Sequence, residues 1–85
     1  MWIITKEEGR EIIKPIMSRD WPDDTESQIK ASKYSFRMFD SEGVLWYEGV
    51  SDNKDFKPMD DFGGPNVGCT SIEYWNEGDR IWEML

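Results

Sequence analysis

The first quarter of the chain carries a hydrophobic pattern that is typical of an amphipathic helix. Apolar residues recur there at helical spacing, at Ile12, Ile13, Ile16 and Met17. Thr5 and Glu8 fit a capping box at the helix start. We therefore expect a helix over about residues 6–13, kinked or restarted at Pro15, because proline removes an amide from the helical ladder. A short strand at residues 2–4 would precede the helix, and a turn at residues 21–24 would end the region.

Two later regions alternate apolar and polar residues and predict β-hairpins. Residues 34–39 and 44–48 flank a turn of sequence Asp-Ser-Glu-Gly, in which Gly43 suits a positive φ. Residues 71–75 and 80–84 flank the turn Asn-Glu-Gly-Asp. The expected register of this second hairpin places Trp75 opposite Arg80, where a cation–π pair can form.

These elements together predict an α+β fold in a single domain, residues 1–85. The expected architecture is a small antiparallel sheet of two hairpins, four to five strands in all, with the N-terminal helix packed on one face. A domain of 85 residues is marginal unless its core is well filled. Twelve aromatic residues supply that filling, and because five of them are Trp, we expect one or two to be exposed for a partner.

A segment of about twenty residues, 51–70, separates the hairpins and reads as a loop. We expect Phe56, Met59 and Phe62 to pack into the core and hold this loop. Its glycine-rich part favours a pair of tight turns. The alternative is a backbone cradle for a small neutral or cationic ligand, formed by Gly63, Gly64, Asn66 and Gly68.

Catalytic and metal-binding motifs are absent from the sequence. The chain has no histidine, which is the commonest general base and metal ligand. Cys69 is the only cysteine and has no histidine to activate it, so we expect a buried, inert thiol. The aspartates of residues 52–61 do not match an EF-hand. The sequence therefore predicts a protein that is not an enzyme and binds no cofactor or metal.

The net charge of −8 lies entirely in the second part of the chain. Residues 1–37 contain seven acids and seven bases, whereas residues 38–85 contain eleven acids and three bases. A field of one sign repels nucleic acid and anionic membranes and attracts basic protein surfaces. The chain also lacks an apolar leader or a membrane-length apolar run, so we expect a reduced, cytoplasmic protein.

The charge pattern predicts a non-enzymatic protein that binds and inhibits a basic partner, such as a nuclease or another DNA-binding protein, by partial imitation of nucleic acid. The carboxylates expected to contact this partner are Asp40, Glu42, Glu48, Glu73, Glu77 and Asp79. The expected aromatic anchors are Trp46, Trp75 and Trp82. In size, charge and composition the chain resembles anti-CRISPR and anti-restriction proteins of phages and mobile elements, and the immunity proteins of bacterial nuclease toxins.

Two other interpretations belong to different classes of protein. A small-molecule-binding or regulatory module would use the glycine-rich segment 63–69 and would be insensitive to charge reversal at the hairpin turns. A structural subunit would pair through an exposed sheet edge, either with itself as a homodimer or with a partner. The inhibitor interpretation allows a monomer or a homodimer.

Overall fold

A computed structural model of the chain describes residues 2–17, 29 and 33–85. Its strands are β1 (Trp2–Glu7), β2 (Arg10–Met17), β3 (Tyr34–Asp40), β4 (Leu45–Ser51), β5 (Cys69–Asn76) and β6 (Ile81–Met84). They form one antiparallel sheet in the spatial order β2-β1-β4-β3-β5-β6. A π-helical turn (Met59–Gly63) leads directly into one α-helical turn, α1 (Gly64–Val67). The turn predicted at residues 21–24 lies outside the described residues.

The predicted N-terminal helix is wrong, because residues 2–17 form a β-hairpin instead. Glu8 and Gly9 form its turn with φ of 51° and 80°, and two successive positive φ angles define the type I′ turn that suits a two-residue hairpin loop. Pro15 is tolerated because β2 is an edge strand. The short strand predicted at residues 2–4 is present and continues to Glu7.

Both hairpins predicted from the later sequence are present. Together with the N-terminal hairpin they give the described part of the chain six strands rather than four to five. Gly43 has the expected positive φ, 79°. The register of the second hairpin differs from the prediction by two residues, since Trp75 lies opposite Trp82 and not opposite Arg80. Arg80 instead belongs to the turn, where its φ is 54°.

The described residues include a short helical segment in the region predicted to be a loop. Pro65 stands in the first positions of α1, and Gly68 ends the helix in the left-handed conformation, with φ 73° and its amide bonded to the Gly64 carbonyl at 2.9 Å. Asp60 and Asp61 occupy the first turn of the segment, where the helix dipole favours negative charge.

This helical segment, residues 59–67, packs on one face of the sheet and closes the core. We call this side the helix face. Met59, Phe62 and Val67 pack against a buried cluster on the sheet, which consists of Trp2, Ile4, Phe36, Met38, Tyr47, Cys69, Ile72 and Tyr74. The centre of the Phe62 ring lies 4.9 Å from the centre of the Tyr47 ring. Met59 and Phe62 therefore confirm the predicted packing, whereas Phe56 is 44% exposed and does not.

Candidate protein-interaction surface

The side of the sheet opposite the helix, which we call the outer face, carries a row of charges of alternating sign. Strand pairing aligns one residue from each strand in this row, in the order Glu11, Lys6, Glu48, Arg37, Glu73 and Met84. Oppositely charged residues on neighbouring strands stabilise a sheet by up to about 1 kcal/mol per pair. The row has three acids and two bases, so nearly all of its charge is balanced within the sheet.

Arg37 is the centre of this row and joins three strands. Its Nε donates to Glu73 Oε1 at 2.6 Å, and the two side chains are 30% and 20% exposed. Its guanidinium carbon lies 4.3 Å from the centre of the Trp82 ring and 5.3 Å from that of Phe39. The predicted cation–π pair of Trp75 with Arg80 is wrong; the contact present joins Arg37 to Trp82, and it fixes the position of Trp82.

Trp75 on β5 and Trp82 on β6 form an aromatic pair on the outer face. Their ring centres are 5.5 Å apart in an edge-to-face arrangement, with an angle of 61° between the planes. Trp75 Nε1 donates to Glu77 Oε2 at 2.5 Å. Because Glu73 holds Arg37 beneath Trp82, a carboxylate lies on each side of the pair. Both indoles are half-buried, so each presents apolar area in a fixed orientation.

A shallow groove of about 220 Å³ separates Trp82 from the β1 side of the outer face. Lys6, Glu48 and Val50 line it, together with Thr5 and Ser35. Within the described part of the chain Glu48 forms no ion pair, although Lys6 and Arg37 flank it in the row. The groove thus combines an indole wall with a carboxylate and a lysine that are not paired with each other.

The other predicted acids do not share one patch, because they lie in turns at opposite ends of the sheet. Asp40 and Glu42 belong to the β3–β4 turn, and Glu77 and Asp79 belong to the β5–β6 turn. The antiparallel pairing of β3 with β5 separates these turns by the length of a strand, about 20 Å at 3.3 Å per residue. The predicted contact residues therefore form two acidic ends, and the Trp75–Trp82 pair lies beside the end formed by the β5–β6 turn.

Asp40 has a structural role in its turn. Its carboxylate accepts the amides of Glu42 and Val44 at 2.9 and 3.0 Å and the Trp46 indole N–H at 2.9 Å. The Trp46 hydrogen bond is the main reason that the pKa of Asp40 is lowered from its usual 3.8. Trp46 itself packs against the buried cluster, to which Trp75 and Trp82 do not belong.

The glycines proposed as a ligand cradle have packing and capping positions in the helix. A Cβ on Gly63 would come within 2.7 Å of Met38 Sδ, so glycine allows the helix to approach the sheet closely. Gly68 caps α1, and the Asn66 side-chain amide donates to the Phe62 carbonyl at 2.8 Å. These contacts account for the sequence of the segment without a ligand.

Cys69 lies in the core, 5% exposed, at the start of β5. Burial raises the pKa of its thiol to about 11, and the nearby Asp40 charge adds to this. Within residues 2–17, 29 and 33–85, no three acidic or cysteine side chains converge as a metal site would require. Nor does any helix in these ranges have the length and apolar character to cross a membrane.

Sequence reasoning missed Arg37 and Phe39 as members of the surface. The signal that identifies them is the alternation of charge between neighbouring strands. This alternation cannot be seen in the sequence until the strand order and register are known. Comparisons with protein-family models, with curated proteins and with solved structures gave no match to this chain.

Proposed function

We propose that this is a non-enzymatic binding protein that inhibits a basic, nucleic-acid-handling partner by covering part of its nucleic-acid-binding surface. The observation that carries the proposal is the Trp75–Trp82 pair, held between Glu73 and Glu77 on the outer face. Tryptophans next to carboxylates are the combination that gives hot spots against arginine- and lysine-rich surfaces.

The distribution of charge supports contact with a protein rather than full imitation of DNA. A duplex carries about one charge per 1.7 Å of its axis. The row on the outer face alternates in sign instead. The predicted contact acids outside this row, Asp40, Glu42, Glu77 and Asp79, lie at the two ends of the sheet. The net charge of −8 then guides the partner towards the surface, and the aromatic pair and Glu48 provide the close contacts.

The proposal implies a protein that works in the cytoplasm as a monomer or homodimer, with no catalytic step of its own. Anti-CRISPR, anti-restriction and nuclease-immunity proteins act in this way, and the small size and acidity of the chain favour that kind of role. Ligand binding by the glycine-rich segment has less support, because helix packing and capping already account for its glycines.

The experiment that tests the proposal is capture of partners from the host lysate at about 0.1 M and about 1 M salt, where the Debye length is about 10 Å and about 3 Å. Captured proteins are identified by mass spectrometry. Each is then assayed for nucleic-acid binding or cleavage with and without this protein. We expect a basic nuclease or DNA-binding protein that is captured only at low salt and is inhibited.

Two charge reversals make the test specific for the surface. Glu77→Lys changes an acid beside Trp75, whereas Asp60→Lys makes the same change in net charge on the helical segment, on the other side of the sheet. We expect Glu77→Lys to weaken capture strongly and Asp60→Lys to weaken it little. Equal loss in both variants, or no salt-sensitive partner, would contradict the proposal.

A further inference from the structure

The two edges of the sheet differ in how well they are protected against an added strand. In β2, residues 12–15 lie opposite the single residue Thr5, so the strand bulges and Ile13 points fully into solvent. Pro15 and Lys14 also lie in this strand. Bulges, prolines and lysines are the features by which natural sheets block their edges. The β2 edge is therefore closed to a further strand.

The opposite edge, β6, lacks these features. Its sequence is Ile-Trp-Glu-Met, with neither proline nor lysine, and its four pairs with β5 are in regular register. Among the described residues, no strand pairs with the outer side of β6. Its protection consists of its short length and one acid, Glu83.

The hydrogen bonding of β6 defines which backbone groups are available. The Leu85 amide donates to the Ile72 carbonyl at 3.0 Å, so Leu85 faces β5. Backbone groups alternate along a strand in an antiparallel pair, so Ile81 and Glu83 also face β5. The amides and carbonyls of Trp82 and Met84 consequently point away from the sheet.

The side chains along this edge favour a segment that is both apolar and basic. Ile81 and Met84 are 49% and 69% exposed, which leaves apolar area beside the free backbone groups. The β5–β6 hairpin, residues 69–84, carries four acids and one base, and those acids are Glu73, Glu77, Asp79 and Glu83. Met84 lies on the outer face, whereas Ile81 and Glu83 lie on the helix face. A segment that alternates β-branched and basic residues would therefore place its apolar side chains beside Met84 and its basic side chains beside Glu83.

We propose that a short, extended, basic segment of the partner adds to β6 as a seventh strand. Its backbone bonds to Trp82 and Met84, its apolar side chains pack beside the Trp82 and Met84 side chains on the outer face, and its basic side chains lie on the opposite face of the sheet, where they pair with Glu83. Strand addition supplies affinity through the backbone and specificity through alternate side chains. The inference rests on the proposed function for the basic character of the partner, and it adds the mode of binding.

The probe for this inference is a synthetic peptide of alternating Arg and Val with blocked ends. Hydrogen exchange of each backbone amide in the intact protein is followed by NMR as the peptide is added. We expect exchange at the Trp82 and Met84 amides to slow about tenfold at a peptide concentration about ten times Kd. The outward amides of β2 should not change.

Two control peptides separate backbone pairing from attraction between charges. The first has the same sequence with N-methyl groups on the amides that would face β6, so it keeps its charge and loses the hydrogen bonds. The second alternates Glu and Val. We expect neither to protect Trp82 or Met84. These controls leave the protein unchanged, so a folding defect cannot imitate the result.

Several outcomes would overturn strand addition. One is equal binding of the N-methylated peptide, and another is binding that leaves the Trp82 and Met84 amides unprotected. Protection that rises with protein concentration in the absence of peptide would mean that a second copy occupies the edge. If a salt-sensitive partner is captured but β6 stays unprotected in that complex, the inference fails while the proposed function stands. If the peptide protects β6 but no nucleic-acid-handling partner is captured, the proposed function fails and the edge site remains.

Discussion

Gly49 gives the sharpest test of how the sheet is assembled, because it lies in β4 between β1 and β3. It pairs with Ile4 on one side and with Phe36 on the other. A Cβ at this position would come within 2.0 Å of the Ile3 carbonyl oxygen and 2.9 Å of the Phe36 ring. Gly49→Ala therefore forces β1 and the buried Phe36 ring to move.

The expected loss of stability follows from these two contacts. Overpacking a well-filled core costs typically 1–3 kcal/mol, and sometimes more. The contact with Ile3 involves backbone in the middle of the sheet, which cannot rotate away as a side chain can, so we expect about 3 kcal/mol. For a domain of this size each kcal/mol lowers Tm by about 4–8 °C. Gly49→Ala should thus lower Tm by about 12–24 °C.

The assay is thermal and urea unfolding followed by circular dichroism, with Gly78→Ala as the matched control. A Cβ on Gly78 would meet only Asn76 Oδ1, at 3.4 Å, and the position is exposed, so its effect should stay within about 0.5 kcal/mol. Without a clash, Gly→Ala in a strand stabilises by reducing the freedom of the unfolded chain. A Gly49→Ala protein that is as stable as the wild type, or more stable, would refute the packing of β1 on β4.

Three further predictions concern single polar groups. The Tyr74 hydroxyl donates to the Asp55 carbonyl at 2.7 Å and accepts the Asp55 amide at 3.3 Å, so Tyr74→Phe should cost about 1–2 kcal/mol in urea unfolding, and no loss would contradict these bonds. The Trp46 N–H lowers the pKa of Asp40 below its usual 3.8, so ionised Asp40 stabilises the fold above that pH. The difference in Tm between the wild type and Asp40→Asn should therefore be full at neutral pH and shrink as the pH falls through and below 3.8. A difference that does not change with pH would exclude this linkage. Burial raises the pKa of Cys69 to about 11, so a thiol reagent at about pH 8 should label the native protein slowly and the urea-unfolded protein rapidly, and fast native labelling would show that the thiol is accessible.

Hairpins with strong turn signals could be predicted from the sequence, whereas the choice between helix and strand at the N-terminus could not be made from periodicity alone. The isoleucines of residues 12–16 fit helical spacing, but β2 accommodates them with a bulge, which places Ile12 and Ile16 against the core and Ile13 in solvent. The overlooked signal was Gly9, the second residue of a two-residue turn between β-branched segments.

The short helix in residues 59–67 could not be predicted for a different reason. Its sequence is rich in Gly, Pro and Asp, which have low intrinsic helix propensity. Packing of Phe62 between Trp2 and Tyr47 stabilises it instead. Tertiary contacts therefore decide this helix, and they are invisible until the sheet is known.

For the proposed interaction surface, the sequence supplied candidate residues but could not show how the fold groups them. Trp75 and Trp82 were expected to serve a common surface, and they are in contact. Asp40 and Trp46, which are also predicted to contact the partner, bond to each other within a turn. Arg37 was not expected at all, because its position between two carboxylates depends on the register of three strands.

The strand order converts the uneven charge of the sequence into a gradient across the sheet. The β1–β2 hairpin, residues 2–17, has three acids and three bases and forms one edge, whereas the more acidic β5–β6 hairpin forms the other. We therefore expect a basic partner to be drawn towards β6, the edge that has no proline, lysine or bulge. The electrostatic gradient arises from Glu83 and its neighbouring acids. The unprotected backbone belongs to different residues, Trp82 and Met84, whose amides and carbonyls point outward. Their coincidence at one edge is the reason to begin any search for a binding partner at β6.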